Sequence, residues 1–238
     1  MIFGAILAGG VGSRMHMADM PKQFLPLGEK PILVHTLEKF LTCRQFDMVY
    51  VGVHPDWVGY TEDLVAKHTA FAEDRIAVVP GGEDRNGTVM NVIAAIEERF
   101  GPSEEHLLVT HDAVRPFVTL RMLEENIAAA REHGACDTVM PAVDTIVEST
   151  DGEIISAIPP RGRMYQGQTP QSFRMSLLKS LYESLSADER AVLTDACKIC
   201  VVRQYPVYLV RGSETNIKIT TPGDYKIAQA MVRELSDD

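Results

Sequence analysis

The stretch IFGAILAGGVGSRMHMADMPKQF, Ile2 to Phe24, joins an apolar run to a glycine-rich segment that carries isolated cations. The first six residues are typical of a buried β-strand, since they are almost entirely apolar. The glycines that follow, Gly9, Gly10 and Gly12, predict a turn that leaves several backbone N–H groups bare. A strand that enters such a turn on the way to a helix is the opening unit of an α/β domain.

The same alternation continues along the chain. Further apolar runs typical of buried strands lie at residues 48–53, 75–80, 106–111 and 138–143. Segments whose apolar residues are three and four apart, as in amphipathic helices, lie at residues 31–41, 88–100 and 119–133. This order predicts an α/β fold with a mostly parallel central sheet and helices on both faces.

The alternation stops after residue 143. Residues 144–165 alternate in polarity around Asp151-Gly152, a pair suited to a type I′ hairpin turn. A hairpin without a core of its own needs a surface to pack on, so we expect a protruding β-hairpin arm at about 144–166 that makes a homodimer. A single domain over 1–238 with this arm is the predicted organisation.

The C-terminal third returns to helices and a strand. The patterns predict a helix at Phe173–Leu185, a helix around Asp195, a strand at 206–212, and a last helix with Thr221 as N-cap and Pro222 in its first turn.

Composition limits the classes of function. The chain has 238 residues, a formal net charge of −10 and a pI near 5.2, which argues against a nucleic-acid surface because such a surface needs a basic footprint. No apolar run approaches the roughly 18 residues of a membrane span, and no signal-peptide pattern begins the chain, so we expect a cytoplasmic protein without a membrane partner. Cys197 and Cys200 form a C-x-x-C without a second metal-ligating pair, and free thiols are expected.

Two cations follow the glycine turn. The segment lacks the Gly-Lys-Ser/Thr of a P-loop, and Met15 stands where the dinucleotide fingerprint needs its third glycine. Arg14 and Lys22 nevertheless come close after bare backbone amides in an acidic chain, and Pro21 biases the chain away from continuous helix. Together they predict a clamp for a polyphosphate rather than two solvated surface cations.

Two further segments predict parts of the same site. PGGEDRNGTV, residues 80–89, offers glycine amides for a base edge, with Arg85 and Thr88 at a helix start for phosphate or ribose. HDAVRPF, residues 111–117, follows a predicted central strand at the end where open parallel sheets bind ligands. Asp112 there is the candidate Mg²⁺ ligand, with capping of the next turn as the alternative, and His111 is expected to be structural.

Polar clusters also occur near the C-terminus. Arg161 and Arg163 lie at the end of the predicted arm, where they could reach a neighbouring subunit. Thr194 and Asp195 belong to LTDACKI, and Lys218 stands among alternating apolar residues in TNIKIT, where a cation needs an anionic partner.

Seven motifs follow one another along the chain: LAGG-x-G-x-RM, PKQF-LPLG, GG-x-x-R, HDAVRPF, QTPQ-F, LTDA and NIKIT. In this order they resemble the cytidylyltransferases that join CTP to a sugar-alcohol phosphate. The resemblance covers nearly the whole chain and implies a single Rossmann-like nucleotidyltransferase domain. LAGG, MYQGQTPQ and LTDACKI look like the ribitol-5-phosphate branch, whose product CDP-ribitol serves teichoic-acid-type polymers. The alternative is the 2-C-methyl-D-erythritol 4-phosphate branch of isoprenoid synthesis.

The resemblance also implies roles for residues. It implies that CTP is bound by Leu7, Ala8, Gly9, Gly10, Gly12, Gly81, Gly82, Glu83, Asp84, Arg85, Asn86, Gly87, Thr88, Asp112 and Ala113. It implies that Arg14 and Lys22 stabilise the transition state, and that Mg²⁺ takes part. The acceptor phosphate would be positioned by Arg161 across the dimer, Lys218 and the nearby Thr194. For the ribitol branch, association with a ribulose-5-phosphate reductase is an open alternative.

The sequence also allows two other functions. A sugar-1-phosphate nucleotidylyltransferase would share the glycine-rich turn but use another sugar and base. A nucleotide sensor without catalysis would keep the turn, although Arg14 and Lys22 together argue against it.

Overall fold

The computed structural model describes residues 1–10, 20–69 and 74–236, and for 235 and 236 the backbone alone. Its strands are β1 (Ile2–Ala8), β2 (Pro26–Leu27), β3 (Lys30–Pro31), β4 (Met48–Val53), β5 (Ile76–Pro80), β6 (Leu107–Asp112), β7 (Ala135–Pro141), β8 (Tyr165–Arg174) and β9 (Tyr208–Arg211). Its α-helices are α1 (Ile32–Thr42), α2 (Val58–Thr69), α3 (Arg85–Phe100), α4 (Leu120–His133), α5 (Met175–Glu183), α6 (Ala187–Ala191), α7 (Ala196–Val202) and α8 (Pro222–Ser236).

Within the described residues, seven strands form the central sheet in the order β5-β4-β1-β6-β8-β7-β9. The strands β5, β4, β1 and β6 are parallel neighbours, and β7 is parallel to β9. Of these seven strands, only β8 runs antiparallel to its neighbours, β6 and β7. The predicted α/β fold with a mostly parallel sheet is therefore confirmed.

Both faces of the sheet are covered by helices, as predicted. One apolar cluster joins the sheet to α1 and α4, with Phe40 and Ile127 fully buried in it. A second cluster joins the opposite face to α3, α5 and α7, with Ile96 and Ile199 fully buried. Burial on both sides explains why the parallel strands are nearly continuous apolar runs.

The last helix follows its predicted cap. The backbone N–H of Asp224 donates to Oγ1 of Thr221 at 3.2 Å, and the Asp224 carboxylate accepts from the Thr221 N–H at 2.7 Å. The hydroxyl of Tyr225 donates to the carbonyl of Pro26, which ties α8 to the β2–β3 hairpin. A third apolar cluster, which includes Tyr225 and Ile219, packs at this contact.

Two predicted boundaries in the C-terminal half need correction, and one strand was not predicted. Residues 165–174 form the long strand β8, and the helix predicted at Phe173–Leu185 begins only at Met175. The strand predicted at 138–143 lies at Ala135–Pro141. The polar residues, the glycine and Pro170 of β8 do not form a pattern that predicts a strand. The segment is a strand because it lies between β6 and β7 and completes their hydrogen bonding.

The predicted type I′ turn is also wrong. Gly152 has a φ of +79°, but Asp151 is not among the described residues with positive φ, which a type I′ turn requires at both positions. Oδ1 of Asp151 instead accepts from the N–H groups of Glu153 and Ile154, both at 2.9 Å. A single bridge between Glu148 and Ala157 joins the two sides of the arm.

None of the helices built by the described residues has the length and apolar character that crossing a membrane requires. All four cysteines are buried free thiols, and burial raises the pKa of Cys136 and Cys200 to about 12.

Candidate active site

A cavity of about 810 Å³ lies at the carboxyl ends of β1, β4, β5 and β6. This edge is where ligands bind in open α/β sheets. It brings together many of the residues singled out from the sequence, namely Leu7, Ala8, Gly9, Gly10, Lys22, Gly81, Gly82, Glu83, Asp84, Arg85, Thr88, Asp112, Ala113 and Lys218. Four residues that the sequence did not point to also line it: Gln23, His54, Pro55 and Val114.

The first glycine segment is held at its start by Gln23. The Nε2 of this buried side chain donates to the carbonyls of Ala8 at 2.7 Å and Gly10 at 3.1 Å. Gln23 lies in the 3₁₀ helix Lys22–Phe24, so the same turn brings Lys22 to the cavity. The sequence predicts that a helix follows these glycines. The residues directly after Gly10, among them Gly12 and Arg14, lie outside the part of the chain that the structure describes.

The second glycine segment leads into α3. The Gly81 N–H donates to the Val53 carbonyl at 2.6 Å, and the Gly82 N–H donates to Oγ1 of Thr88 at 3.1 Å. A Cβ on Gly82 would lie 2.5 Å from the backbone of Gly87, so only glycine fits there. Asp84 caps the helix by accepting from the Gly87 N–H at 2.7 Å.

Asp112, at the end of β6, is surrounded by three cations. Nζ of Lys218 lies 2.8 Å from its Oδ2, Nε of Arg85 lies 3.4 Å from Oδ1, and Nε of Arg115 lies 3.6 Å from Oδ2. Burial alone would raise the pKa of Asp112, but the positive charges of Arg85, Lys218 and Arg115 bring it well below its usual range. The group is therefore an anion held among cations at the floor of the cavity.

The guanidinium of Arg85, beside Asp112, can donate a further hydrogen bond. Its buried Nη1 has no hydrogen-bond partner within the parts of the chain that the structure describes. Because a buried guanidinium nitrogen without an acceptor is costly, this atom favours a bound anion as its partner.

A buried network beneath Asp112 fixes the turn that follows β6. Oγ1 of Thr169 accepts from the Asp112 N–H at 3.2 Å and lies 2.9 Å from Nδ1 of His111, whose Nε2 lies 3.1 Å from the Arg115 carbonyl. Burial lowers the pKa of His111 to about 4, so the ring is neutral and can accept at Nδ1 while donating at Nε2. His111 joins the network and does not line the cavity.

Asn216 extends the network to the loop that carries Lys218. Its Nδ2 donates to the Thr169 carbonyl at 2.8 Å, and its own carbonyl accepts from Nη1 of Arg115 at 2.7 Å. Strand β8, which the sequence did not reveal, thereby links the two segments that hold Asp112 and Lys218.

Four described residues on the predicted list do not line the cavity. Asn86 is buried in α3, and Gly87 is engaged with Asp84. Arg161 is exposed on the arm, where its Nη1 donates to the Val143 carbonyl at 3.1 Å. Thr194 is exposed just before Asp195, which caps α7.

The oxygen donors at the cavity suit only a Mg²⁺ site that is completed by substrate phosphates. No group of three His, Cys, Asp or Glu residues that could hold a metal occurs in the described portions of the chain. Asp112 supplies one carboxylate to the cavity, and Mg²⁺ is commonly bound through one or two carboxylates together with substrate phosphates. The residues present therefore fit an ion shared between Asp112 and a polyphosphate, whose negative charge would offset the three cations around the carboxylate.

Solved structures of similar proteins share this fold. A 4-diphosphocytidyl-2C-methyl-D-erythritol synthase from Anaerococcus prevotii has 26% identity and a TM-score of 0.79, covering 98% of this chain and 96% of its own. The 2-C-methyl-D-erythritol 4-phosphate cytidylyltransferase of Francisella tularensis has 28% identity and a TM-score of 0.79, covering 96% and 98%. That of Thermus thermophilus has 28% identity and a TM-score of 0.73, covering 98% and 100%.

The family model described as IspD, 2-C-methyl-D-erythritol 4-phosphate cytidylyltransferase, matches residues 2–234. This match includes both glycine segments, Asp112 and Lys218. The chain therefore belongs to the IspD family of cytidylyltransferases.

Proposed function

We propose that this protein transfers the cytidylyl group of CTP to the phosphate of an acyclic polyol phosphate and releases pyrophosphate. The observation that carries the proposal is the cavity that the two glycine segments and Lys22 line, and in which Arg85 and Lys218 contact Asp112. Bare amides and concentrated cations in an acidic chain suit a triphosphate and a second phosphate.

The comparisons support 2-C-methyl-D-erythritol 4-phosphate as acceptor better than ribitol 5-phosphate. The three similar structures and the family model carry names that refer to the methylerythritol compound. Ribitol 5-phosphate, the main expectation from the sequence, is the second candidate. It rests on LAGG, MYQGQTPQ and LTDACKI, and its product would serve teichoic-acid-type polymers.

The chemistry explains why positioned charge is the main requirement. An oxygen of the acceptor phosphate attacks the α-phosphorus of CTP, the bond to the β-phosphate oxygen breaks, and pyrophosphate leaves. A phosphate monoester has a second pKa near 6, so at neutral pH it attacks mostly as the dianion without a protein base. The protein must bring two anions together and stabilise the charge that develops on the leaving group.

We assign the cations of the site accordingly. Lys22, with Arg14, stabilises the α-phosphate and pyrophosphate in the transition state, and Lys218 positions the acceptor phosphate. The glycine segments, with Asp84, Arg85 and Thr88, hold the nucleotide. Mg²⁺, bound by Asp112 and the phosphates of CTP, would neutralise phosphate charge.

The arm is proposed to form a homodimer that completes the site. Residues 142–164, which join β7 to β8 and contain most of the predicted arm, expose several apolar side chains, among them Val143 at 72%, Ile154 at 70% and Ile158 at 60%. Such a surface is typical of an interface, and Arg161 on the arm would then reach the partner's acceptor phosphate. Association with a ribulose-5-phosphate reductase gains no support from the comparisons and is not part of the proposal.

The test is a direct comparison of the two acceptors. The purified protein is incubated with CTP and Mg²⁺ and either 2-C-methyl-D-erythritol 4-phosphate or ribitol 5-phosphate, and pyrophosphate release and the CDP-linked product are measured. Reactions without acceptor, and with sugar 1-phosphates or other nucleoside triphosphates, are the controls. Release with one acceptor identifies the substrate, whereas no release with either polyol phosphate contradicts the proposal.

A further inference from the structure

His54 lies between the two glycine segments of the cavity. In the sheet, Ala8 of β1 pairs with Val53 of β4, and Val53 pairs with Pro80 of β5. Gly9, His54 and Gly81 are the residues that follow these three paired positions. Because neighbouring strands are about 4.8 Å apart, a nucleotide held by both glycine segments has to pass His54.

The His54 ring is held in one orientation by the turn that follows it. The backbone N–H of Asp56 donates to Nδ1 at 3.3 Å, and the Trp57 N–H donates to the His54 carbonyl at 2.8 Å in the 3₁₀ helix Pro55–Trp57. Because Nδ1 accepts, the proton of the neutral ring is on Nε2. The portions of the chain that the structure describes give Nε2 no hydrogen-bond partner, and the side chain is 39% exposed. The ring thus offers one N–H donor to a ligand.

The charges near His54 favour a neutral part of the nucleotide. An oxygen of the Asp56 carboxylate lies 3.6 Å from Nδ1, and the acidic residues Glu83 and Asp84 line the cavity beyond β5. The guanidinium of Arg85 and the ammonium of Lys218 gather instead at Asp112, at the end of β6. Phosphates are therefore favoured near β6, and the base is favoured near the ends of β4 and β5.

We propose that Nε2–H of His54 donates a hydrogen bond to ring nitrogen N3 of the cytosine of CTP and so helps to select CTP over UTP. N3 is an acceptor in cytosine, whereas uracil carries an N–H at that position and would oppose a second donor. A site built to hydrogen-bond one group discriminates against an analogue that cannot complete the bond. The inference rests on the proposed use of CTP and adds a specificity-determining residue to it.

The experiment uses a pair of substitutions that separate the two ring nitrogens. His54→Asn keeps an acceptor near the place of Nδ1 for the Asp56 N–H but has no group at the reach of Nε2. His54→Gln has an amide N–H near the place of Nε2. His68→Ala, at the end of α2 and outside the cavity lining, is the histidine control. Binding of CTP, UTP and dCTP in Mg²⁺ is measured by calorimetry, and KM and kcat are measured with the accepted polyol phosphate.

We expect His54→Asn, and also His54→Ala, which removes both ring nitrogens, to bind CTP about three- to tenfold more weakly, as the loss of one hydrogen bond predicts. UTP binding should change little, so the preference for CTP should fall by a similar factor, while KM for the acceptor stays unchanged. His54→Gln should retain most of the preference, and His68→Ala should match the wild type. Thermal unfolding curves show whether each variant folds. If His54→Ala does not fold, the Asn and Gln variants decide the question.

Several results would overturn the inference. Equal losses for CTP and UTP, a loss seen with CTP but not with dCTP, or an effect on the acceptor KM alone would each assign His54 another contact or none. If the wild type releases pyrophosphate from CTP but His54→Asn binds CTP normally, this inference fails and the proposed function stands. If the wild type neither binds CTP nor releases pyrophosphate, both fail.

Discussion

Nζ of Lys218 lies 2.8 Å from Oδ2 of Asp112, which joins the loop after β9 to the end of β6. The carboxylate is shared with Arg85 and Arg115, so one anion faces three cations. Local charge is therefore positive where the acceptor phosphate is proposed to bind. The contact holds the Lys218 ammonium at the cavity, and the next residue, Ile219, is fully buried and anchors the loop.

Lys218→Ala is expected to act on the acceptor. Removing a ground-state contact should raise KM for the polyol phosphate and leave KM for CTP nearly unchanged. Steady-state kinetics with each substrate varied in turn measures this, with Lys226→Ala, an exposed residue of α8, as control. A change confined to the CTP dependence would contradict the proposed role of Lys218.

Lys22→Ala is expected to act on turnover. Loss of one preorganised transition-state donor should lower kcat by about 10² to 10³ with the fold intact, and Arg14→Ala should behave alike. Stopped-time assays of pyrophosphate release give kcat, circular dichroism gives the fold, and Lys39→Ala on the exposed side of α1 is the control. Near-wild-type turnover in either variant would exclude the assigned role.

Gln23→Leu is expected to damage the first glycine segment. Both carbonyls that Gln23 serves, those of Ala8 and Gly10, would lose a buried donor, at a cost of about 1 to 3 kcal/mol in the free energy of unfolding. KM for CTP should rise as well, because the amides of this segment would lose their fixed position. Urea unfolding and CTP kinetics test both effects, with the exposed Gln45→Leu as control. If stability falls while the CTP dependence stays normal, Gln23 is structural only.

Much of the sheet could be predicted from local patterns. Strands β1 and β4 are buried on both faces and are continuous apolar runs, and α1 and α4 show clear amphipathic spacing. Strand β8 could not be predicted, because YQGQTPQSFR is polar and contains glycine and proline. Its strand form results from the hydrogen-bonding groups of β6 and β7 on either side, which are far away in sequence.

The candidate site shows the same division. Glycines and cations after strands pointed to Lys22, Arg85 and Asp112, since the carboxyl ends of parallel strands meet at one edge. Gln23 and His54 were missed because their importance depends on strand register and on carbonyls that they reach through space. A polar side chain placed directly after a buried strand, as His54 is after β4, is the sequence signal that could have found one of them.

Asp137→Asn is expected to stabilise the protein in a pH-dependent way. Burial, reinforced by the negative charge of Asp195, raises the pKa of Asp137 to about 7, although Gln171 donates to it at 3.1 Å and Arg85 favours the anion. The folded state therefore holds a proton that the unfolded state releases between about pH 4 and 7, so this carboxyl costs stability increasingly as pH rises through that range. The substitution should add about 2 to 4 kcal/mol above pH 8 and little at pH 4.

Urea unfolding of the wild type and Asp137→Asn at pH 5, 7 and 8.5 measures this difference. Asp188→Asn, on the exposed helix α6, is the control for a changed carboxylate. A stability difference between wild type and Asp137→Asn that does not vary with pH would show that Asp137 titrates normally.

Two inactive variants are expected to restore activity when mixed, if Arg161 acts across a dimer formed by the arm. A Lys22→Ala subunit lacks its own catalytic lysine but still offers Arg161, and an Arg161→Ala subunit keeps Lys22 but offers no arginine. In a mixed dimer one site then holds both groups, so random exchange should recover about a quarter of wild-type activity at saturating CTP and limiting acceptor.

Light scattering measures the dimer, and mixing each variant with itself is the control. If the mixture is no more active than its parts while the dimer exchanges, Arg161 does not act on the partner's site. A monomer that is fully active would exclude the composite site altogether.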